Sequence, residues 1–565
     1  MRLYQVLPVL AALMGASLAE AKEVFAHYML GNVASFSQAD WEKDIQLAQD
    51  SGIDGFALNM AADAEALATN WPSAEKAFKA AEAKNFKLFF SFDYLGGGIP
   101  WTAADVTKYT NNWKGSPAYF KRDNRPLVST FEGVDNRNDW TQIKADTQAF
   151  FMPDYSSLGA EVAAAAPGVD GLFSWDAWPK GASDKSDEVD NYYISQLKGK
   201  PYMMPVSPWF FTNLPNYDKN RLWRGDDLWY DRWQQVMEVK PDYVEIITWN
   251  DFGESHYIGP LDSRQYGAFR GGNAPYNYVE GLSHDGWRLF LPYLIKQYKT
   301  GSASINKEGL MAWYRTQPGK ACATGGTAGN ANYEPHMEPY DVVQDNIFFS
   351  ALLNSDADYT VSVNGTNIEL PQQKWRNTPG GGSGIYHASV PYHGHRGPVV
   401  VTISRNGQQV AQVKGGSITD ACNGHPENWN AWVGSDPVVG TPGSGTNPTT
   451  PPTTTTAAPP PPSTTTATPP PSNDRPCVAG TGEGNYSGLC RYACGYNYCP
   501  PEVCRCTRRA TNAVSAPPTT GQKGYPAVGV KDHCSYLGLC SYAWDHGYVD
   551  NTAACGPDPA GAEGC

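Results

Sequence analysis

At 565 residues and 41% hydrophobic content, the chain is too long for one domain and apolar enough to build more than one core. A formal net charge of −14 argues against nucleic acid and other polyanions as partners and suits a neutral polymer better. Only 18% of residues are charged, while 18 Trp and 32 Tyr supply side chains that either stack on sugar rings or fill large cores.

The N-terminus reads as a secretory signal peptide over residues 1–21: Arg2, an apolar run over 6–18, then the small residues Ser17, Ala19 and Ala21. That run is too short to span a membrane, and the C-terminus GPDPAGAEGC has no hydrophobic tail, so no membrane anchor is expected. The 12 cysteines of a secreted chain are expected to be oxidised.

From 22 to 301, strand-like runs near 24–30, 53–59, 87–93, 126–132, 149–152, 169–176, 201–206 and 243–249 alternate with helical patterns. This alternation predicts an α/β fold, a (β/α)8 TIM-type barrel. Ser37 and Asp40 form an N-terminal capping signal for a helix that stops at Gly52. A second helix is predicted over 73–84 and a closing one over 286–299, where Pro292 either kinks it or lies in its first turn. Residues 208–227 read as an aromatic-rich loop that walls the cleft.

In such a barrel the strand ends converge on one mouth, which would collect His27, Asn59, Asp93, Glu132, Asp176, Asp251 and Glu254. A cap or a structural hydrogen bond explains any one of them as well. Together they suit glycosidic cleavage, in which one carboxylic acid protonates the leaving oxygen while an ionised partner activates water or attacks the sugar. Asp251 and Glu254, three residues apart beside Asn250, Gly253 and His256, look like that pair, and their spacing alone leaves either stereochemistry open. There is no HExxH, no Walker loop, no dinucleotide fingerprint and no G-x-S-x-G elbow, so neither a metal nor a cofactor is expected.

Over 302–433 the pattern changes to short strands at 346–353, 359–363, 368–370, 385–390, 399–405 and 408–414, with turns at Asn364-Gly365 and Asn406-Gly407. This predicts an antiparallel β-sandwich that buttresses the barrel, stapled by Cys322 and Cys422 and carrying a glycosylation sequon at Asn364. Residues 434–474 are a Thr/Pro-rich linker. The tail, 475–565, holds the other ten cysteines (12 − 2) and an internal echo, GLCRYA at 488–493 and GLCSYA at 538–543, which predicts a disulfide scaffold with two related halves.

The segment WNDFGESHYIGP (249–260), with FAHYMLGN (25–32), DGFALNM (54–60), FSFDYLG (90–96) and FSWDAWP (173–179), resembles the glycoside hydrolase family 71 α-1,3-glucanases, the fungal mutanases. The likeness runs over about 22–430. It implies a secreted enzyme that cleaves insoluble α-1,3-glucan by inversion, with Asp251 as general base and Glu254 as general acid. Burial beside Tyr257 is expected to raise Glu254. His27, Asn59, Asp93, Glu132, Asp176, Asn250 and His256 are expected to bind sugar hydroxyls or orient the pair, and Trp101, Trp175, Trp178 and Tyr257 are candidate stacking platforms with core packing as the rival reading. The tail resembles the family 24 carbohydrate-binding modules, which implies that it tethers the enzyme to α-1,3-glucan. A monomer is expected. The competing readings are a hydrolase of another neutral polysaccharide and a non-catalytic glucan-binding wall protein.

Overall fold

The computed structural model describes residues 22–323, 337–369 and 374–439, and near the C-terminus 476–482, 487–501, 503–509, 516, 519–526, 533–546 and 555–556. The expected signal peptide and nearly all of the expected linker lie outside the described residues. The chain divides into two compact units, Met1–Pro452 and Thr453–Cys565.

The first unit begins with parallel strands: β1 (Glu23–Met29), β2 (Gly55–Met60), β3 (Lys87–Asp93), β4 (Arg125–Phe131), β5 (Phe150–Phe151), β6 (Leu172–Phe173), β7 (Tyr202–Val206) and β8 (Tyr243–Ile246). They pair in the order β4-β3-β2-β1-β8-β7-β6, and β5 lies on β4. The result is a curled sheet with helices between its strands. Residues of β2 and β3 are buried on both faces, which is why these strands read as nearly continuous apolar runs and not as alternations. Asp154 makes isolated parallel bridges to Phe131 and to Phe173.

The helical signals hold where capping chemistry sets them. Ser37 and Asp40 form a reciprocal capping box on Gln38–Asp50. The second helix is Ala64–Lys84, longer than the 73–84 expected, because the Asp63 side chain caps Glu65 and Ala66 and the helix absorbs Pro72. Pro292 lies in the first turn of Leu291–Thr300, where its missing N–H costs nothing. The expected loop at 208–227 is instead largely an antiparallel hairpin, Phe211–Leu214 against Lys219–Leu222.

Two four-stranded antiparallel sheets follow, one with Gly384–Pro391, Asn346–Leu353, Gly309–Arg315 and Ala431–Asp436, the other with Thr366–Asn367, Asp358–Val363, Gly397–Arg405 and Gln408–Ile418. Strand Gly309–Arg315 has no polar alternation because both its faces are covered: Met311 and Trp313 join the core of the curled sheet, whereas Leu310, Ala312 and Tyr314 join the core between the two antiparallel sheets. Hydrogen bonds from Trp209 Nε1 to the Trp429 carbonyl (2.9 Å) and from Trp313 Nε1 to the Asp226 carbonyl (2.7 Å) weld the parts together. Cys322 and Cys422 are bonded. Asn364 and Gly365 both adopt left-handed φ (52° and 75°) at an exposed turn, as the sequence predicted. The strand Ala431–Asp436 runs past residue 433, where composition alone would begin the linker. The expected strand at 368–370 is not formed at Ile368, and Leu370 lies outside the described residues.

In the second unit the internal echo is structural. Cys490, in helix Ser487–Gly495, bonds Cys504, 14 residues on, and Cys540, in helix His533–Asp545, bonds Cys555, 15 residues on. Cys477–Cys506 and Cys494–Cys499 complete the bridges among the described residues.

Candidate active site

The site is built where β8 ends. Beyond Ile246 the chain turns sharply, and the Asp251 carboxylate accepts the N–H of Glu254 (3.1 Å), closing a turn that brings the two acids together. Thr248 organises the rest. Its hydroxyl accepts from Asp251 N–H (2.9 Å) and faces His256 Nδ1 (3.1 Å), while His256 Nε2 faces Glu254 Oε2 (3.1 Å). A single tautomer satisfies every partner: Thr248 O–H donates to Nδ1 and Nε2–H donates to Glu254. One oxygen of each acid and a ring nitrogen of His256 lie within 4.8 Å of one another.

The hairpin completes this arrangement. Phe211 N–H donates to the Glu254 carbonyl (3.1 Å), and Lys219 Nζ lies 2.6 Å from Glu254 Oε1. Glu254 remains 14% exposed at its side chain and Lys219 31%, so the pair can be reached by solvent. The other side is held by Tyr278, whose hydroxyl donates to the Gly253 carbonyl (2.6 Å).

The two acids therefore have opposite electrostatics. Burial raises the Asp251 carboxyl, and the neighbouring Glu254 charge raises it further. Burial also works to raise Glu254, but the Lys219 charge and the hydrogen bonds from His256 and Lys219 prevail and hold it well below the usual carboxylate range. The expectation that burial beside Tyr257 would raise Glu254 does not survive these contacts. Although Asp251, Glu254 and His256 have the donor set of a cation site, the Lys219 ammonium already supplies the positive charge there.

A cleft of about 970 Å3 lies alongside, the size of a pocket for several sugar rings, with Glu132, Trp175, Asp176, Tyr192, Arg221 and Trp223 among its lining residues. Its lining does not include Asp251 or Glu254. The hairpin links the two features: Arg221 and Trp223 face the cleft and Lys219, on the same strand as Arg221, holds Glu254. Trp178 stacks on Trp223 (4.9 Å, 19°) and stands 5.5 Å from His256.

The other expected residues divide into two groups. Trp175 and Asp176 line the cleft; Asp176 is paired with Lys185, and Trp175 meets the His27 ring edge-on at 4.9 Å. Glu132, at φ 51°, accepts from Ser157 N–H (2.9 Å) and its hydroxyl (2.5 Å). Asp93 is raised by burial, an effect opposed by the Gly96 and Leu95 N–H groups and by Asn59. His27 is fully buried and pairs with Glu245 at 2.6 Å.

Three expected sugar contacts are instead structural. Tyr257 is fully buried, stacked on His284 at 3.9 Å with its hydroxyl donated to the Leu282 carbonyl, so its ring offers no face to a ligand. Asn250 accepts Met29 N–H (2.7 Å) and donates to Gln265 Oε1 (2.7 Å), tying the loop after β8 to β1. Trp101 is a core residue bonded to the Met60 carbonyl.

Sequence reasoning missed Lys219, Thr248, Glu245 and Asp154. Two of these left signals: Glu245 is a lone acid in an apolar strand, and Asp154 follows β5 as Asp93 ends β3. Asp154 is buried, accepts from Ser156 N–H (3.1 Å), and is raised well above the usual range by burial and the Glu132 charge. Nothing in the local pattern marked Lys219.

Comparison with known proteins finds relatives named as a mutanase and as α-1,3-glucanases. A mutanase of Penicillium rubens is 34% identical over 450 residues, covering 76% of this chain and 92% of that protein. The glucan endo-1,3-alpha-glucosidase agn1 of Schizosaccharomyces pombe is 34% identical over 434 residues (73% and 94%), and the ascus wall endo-1,3-alpha-glucanase of the same yeast is 30% identical over 368 (61% and 82%). The profile of glycosyl hydrolase family 71 matches residues 20–443, a span that contains the curled sheet, the acid pair and both antiparallel sheets, and the chain belongs to that family.

Proposed function

We propose that this chain is a glucan endo-1,3-alpha-glucosidase that hydrolyses the α-1,3 bonds of insoluble α-1,3-glucan outside the cell. The observation that carries the reading is the Asp251–Glu254 pair, two carboxyls at close range in opposite ionisation environments, in a chain of family 71. Asp251, the acid whose surroundings raise it, serves as the general acid toward the leaving glycosidic oxygen, and Glu254, the acid whose surroundings lower it, draws the proton from the attacking water. This order reverses the one implied by the resemblance. Two negative charges so close are unfavourable, and Lys219 fixes which acid carries the charge.

Inversion needs a water between base and sugar and uses carboxyls about 6.5–9.5 Å apart. One oxygen of each acid lies within 4.8 Å of the other, closer than that spacing, so the inverting outcome rests on the family resemblance and not on this distance. The sheet is read as a closed (β/α)8 barrel, a reading supported by the bridges of Asp154 to Phe131 and Phe173 between β4 and β6, and in that reading the acids follow the end of β8 as active-site residues of barrel enzymes do. Trp175 and Trp223 are the platforms for the glucan chain, with Glu132 and Asp176 bonding its hydroxyls. The C-terminal unit is read as the glucan-binding module on its tether, and Asn364 as glycosylated.

Incubation with insoluble α-1,3-glucan, β-1,3-glucan and chitin tests the substrate. Reducing ends and a ladder of oligosaccharides are expected from α-1,3-glucan alone, with the β anomer appearing first by NMR. Equal release from β-1,3-glucan or chitin contradicts the reading.

A further inference from the structure

The hairpin Phe211–Leu214/Lys219–Leu222 serves the acid pair and the cleft at once. One strand reaches Glu254 through Phe211 N–H and the other through Lys219, while Arg221 lies in the cleft wall with its guanidinium 4.9 Å from the centre of the Trp223 ring. We propose that Lys219 is the positioning residue that makes Glu254 the base: its ammonium keeps the Glu254 carboxylate charged and leaves the shared proton on Asp251. This rests on the glucanase reading above.

Among the groups that face Glu254, Lys219 stands nearest: its Nζ is 2.6 Å from Oε1, against 3.1 Å for His256 Nε2 from Oε2. His256 Nε2 donates from Glu254's own loop, the Asp251 carboxyl stands across the turn, the Tyr278 hydroxyl bonds the adjacent Gly253 carbonyl, and Arg221 acts on Lys219 and forms no ion pair with Glu254 among the described residues. Glu254 in turn stabilises the charged form of Lys219, whose own value is raised chiefly by the Glu254 charge. Because Lys219 and Arg221 share one short strand, a glucan that presses on the cleft wall bears on the same element that sets the ionisation of the base.

The sign follows directly. Without the ammonium, burial acts on Glu254 opposed by His256 but no longer by Lys219, so it ionises at higher pH, by about one unit or more for a neighbouring charge at this range. For a base, this moves the acidic limb of the kcat/KM profile to higher pH. The test compares pH profiles of the full chain with those of Lys219→Met and Lys219→Arg on α-1,3-glucan. In parallel, Glu254 is titrated through carboxyl-13C glutamate labelling, its resonance assigned by loss in Glu254→Gln.

Lys219→Met is expected to raise both the acidic limb and the Glu254 titration by about one unit or more, and Lys219→Arg to leave both near the parent. Movement of the alkaline limb instead, or a lower rate with both limbs and the resonance unmoved, overturns the proposal. If the parent cleaves no α-1,3-glucan the functional reading falls, and the resonance still reports whether Lys219 controls Glu254.

Discussion

Two places in the first unit set neighbouring acids beside a histidine and a basic side chain, and they differ in what is left over. Where the antiparallel sheets meet the curled sheet, Asp226 is satisfied by Arg315 (2.7 Å), Arg224 (3.1 Å) and the Gln344 N–H (3.0 Å). Its neighbour Asp227 meets His387 (2.7 Å) and Arg376. Both are nearly inaccessible, at 1% and 5% exposure. At the end of β8 one lysine and one histidine serve Glu254, while Asp251 forms no ion pair among the described residues and is raised by its surroundings. Saturated acids hold two parts of a protein together. Asp226 is raised by burial as well, so what sets Asp251 apart is the missing counter-charge beside a satisfied and partly exposed partner, an inequality that acid–base catalysis can use.

The comparison breaks most visibly at the clamp. Arg315→Met leaves Asp226 buried and underpaired, a loss of about 3–5 kcal/mol. Denaturant unfolding is expected to show that loss, with the specific activity of the folded fraction unchanged. A variant as stable as the parent would show that the Asp226 cluster is not a clamp.

A pH-dependent effect of similar size comes from Asp44, which burial pushes up from its ordinary 3.8 to about 6, while its Oδ2 accepts from Tyr28 (2.9 Å) and Trp249 (3.0 Å). A carboxyl whose folded value is raised contributes stability that is full below about pH 4 and fades as pH rises through about 6, a loss of roughly 3 kcal/mol. Asp44→Asn should flatten the dependence of unfolding free energy on pH over that window. A steep profile retained in the variant would assign the dependence to another group.

The smallest expected effect is Asn430→Ala. Asn430 Nδ2 donates to the Tyr278 carbonyl (3.1 Å) and the Tyr257 hydroxyl (3.3 Å), and Tyr278 supports Gly253 between the acids. Its loss is expected to cost about 1–3 kcal/mol and to lower kcat by less than about tenfold, joining the antiparallel sheets to catalysis only through packing. A far larger fall in kcat at unchanged stability would give those sheets a direct role.

Much of this was legible in the sequence because local chemistry set it. All eight expected parallel strands have counterparts, the Ser37 capping box formed, and both Asn-Gly turns took left-handed φ. What was lost depended on tertiary context. Gly309–Arg315 gave no alternation because two cores cover it, and the strands at 211–222 were masked by Pro, Asn and aromatic residues that usually mark loops. The acids could be found because they follow an apolar strand. Lys219 could not, since only the fold of the hairpin brings it within 2.6 Å of Glu254. For Tyr257 the structure takes the rival reading, core packing, because a tyrosine beside a candidate acid looks the same in sequence whether its ring faces a sugar or stacks on His284.

The most direct test of the central claim is the rate of reducing-sugar release from insoluble α-1,3-glucan by the parent, Asp251→Asn and Glu254→Gln, each first shown to unfold at the parental temperature. The account predicts activity in the parent and a loss of at least several hundred-fold in both variants, the scale of an acid–base group. Near-parental activity in either variant would contradict it and move the chemistry to other carboxyls, with Asp154 and Glu132 the first to examine.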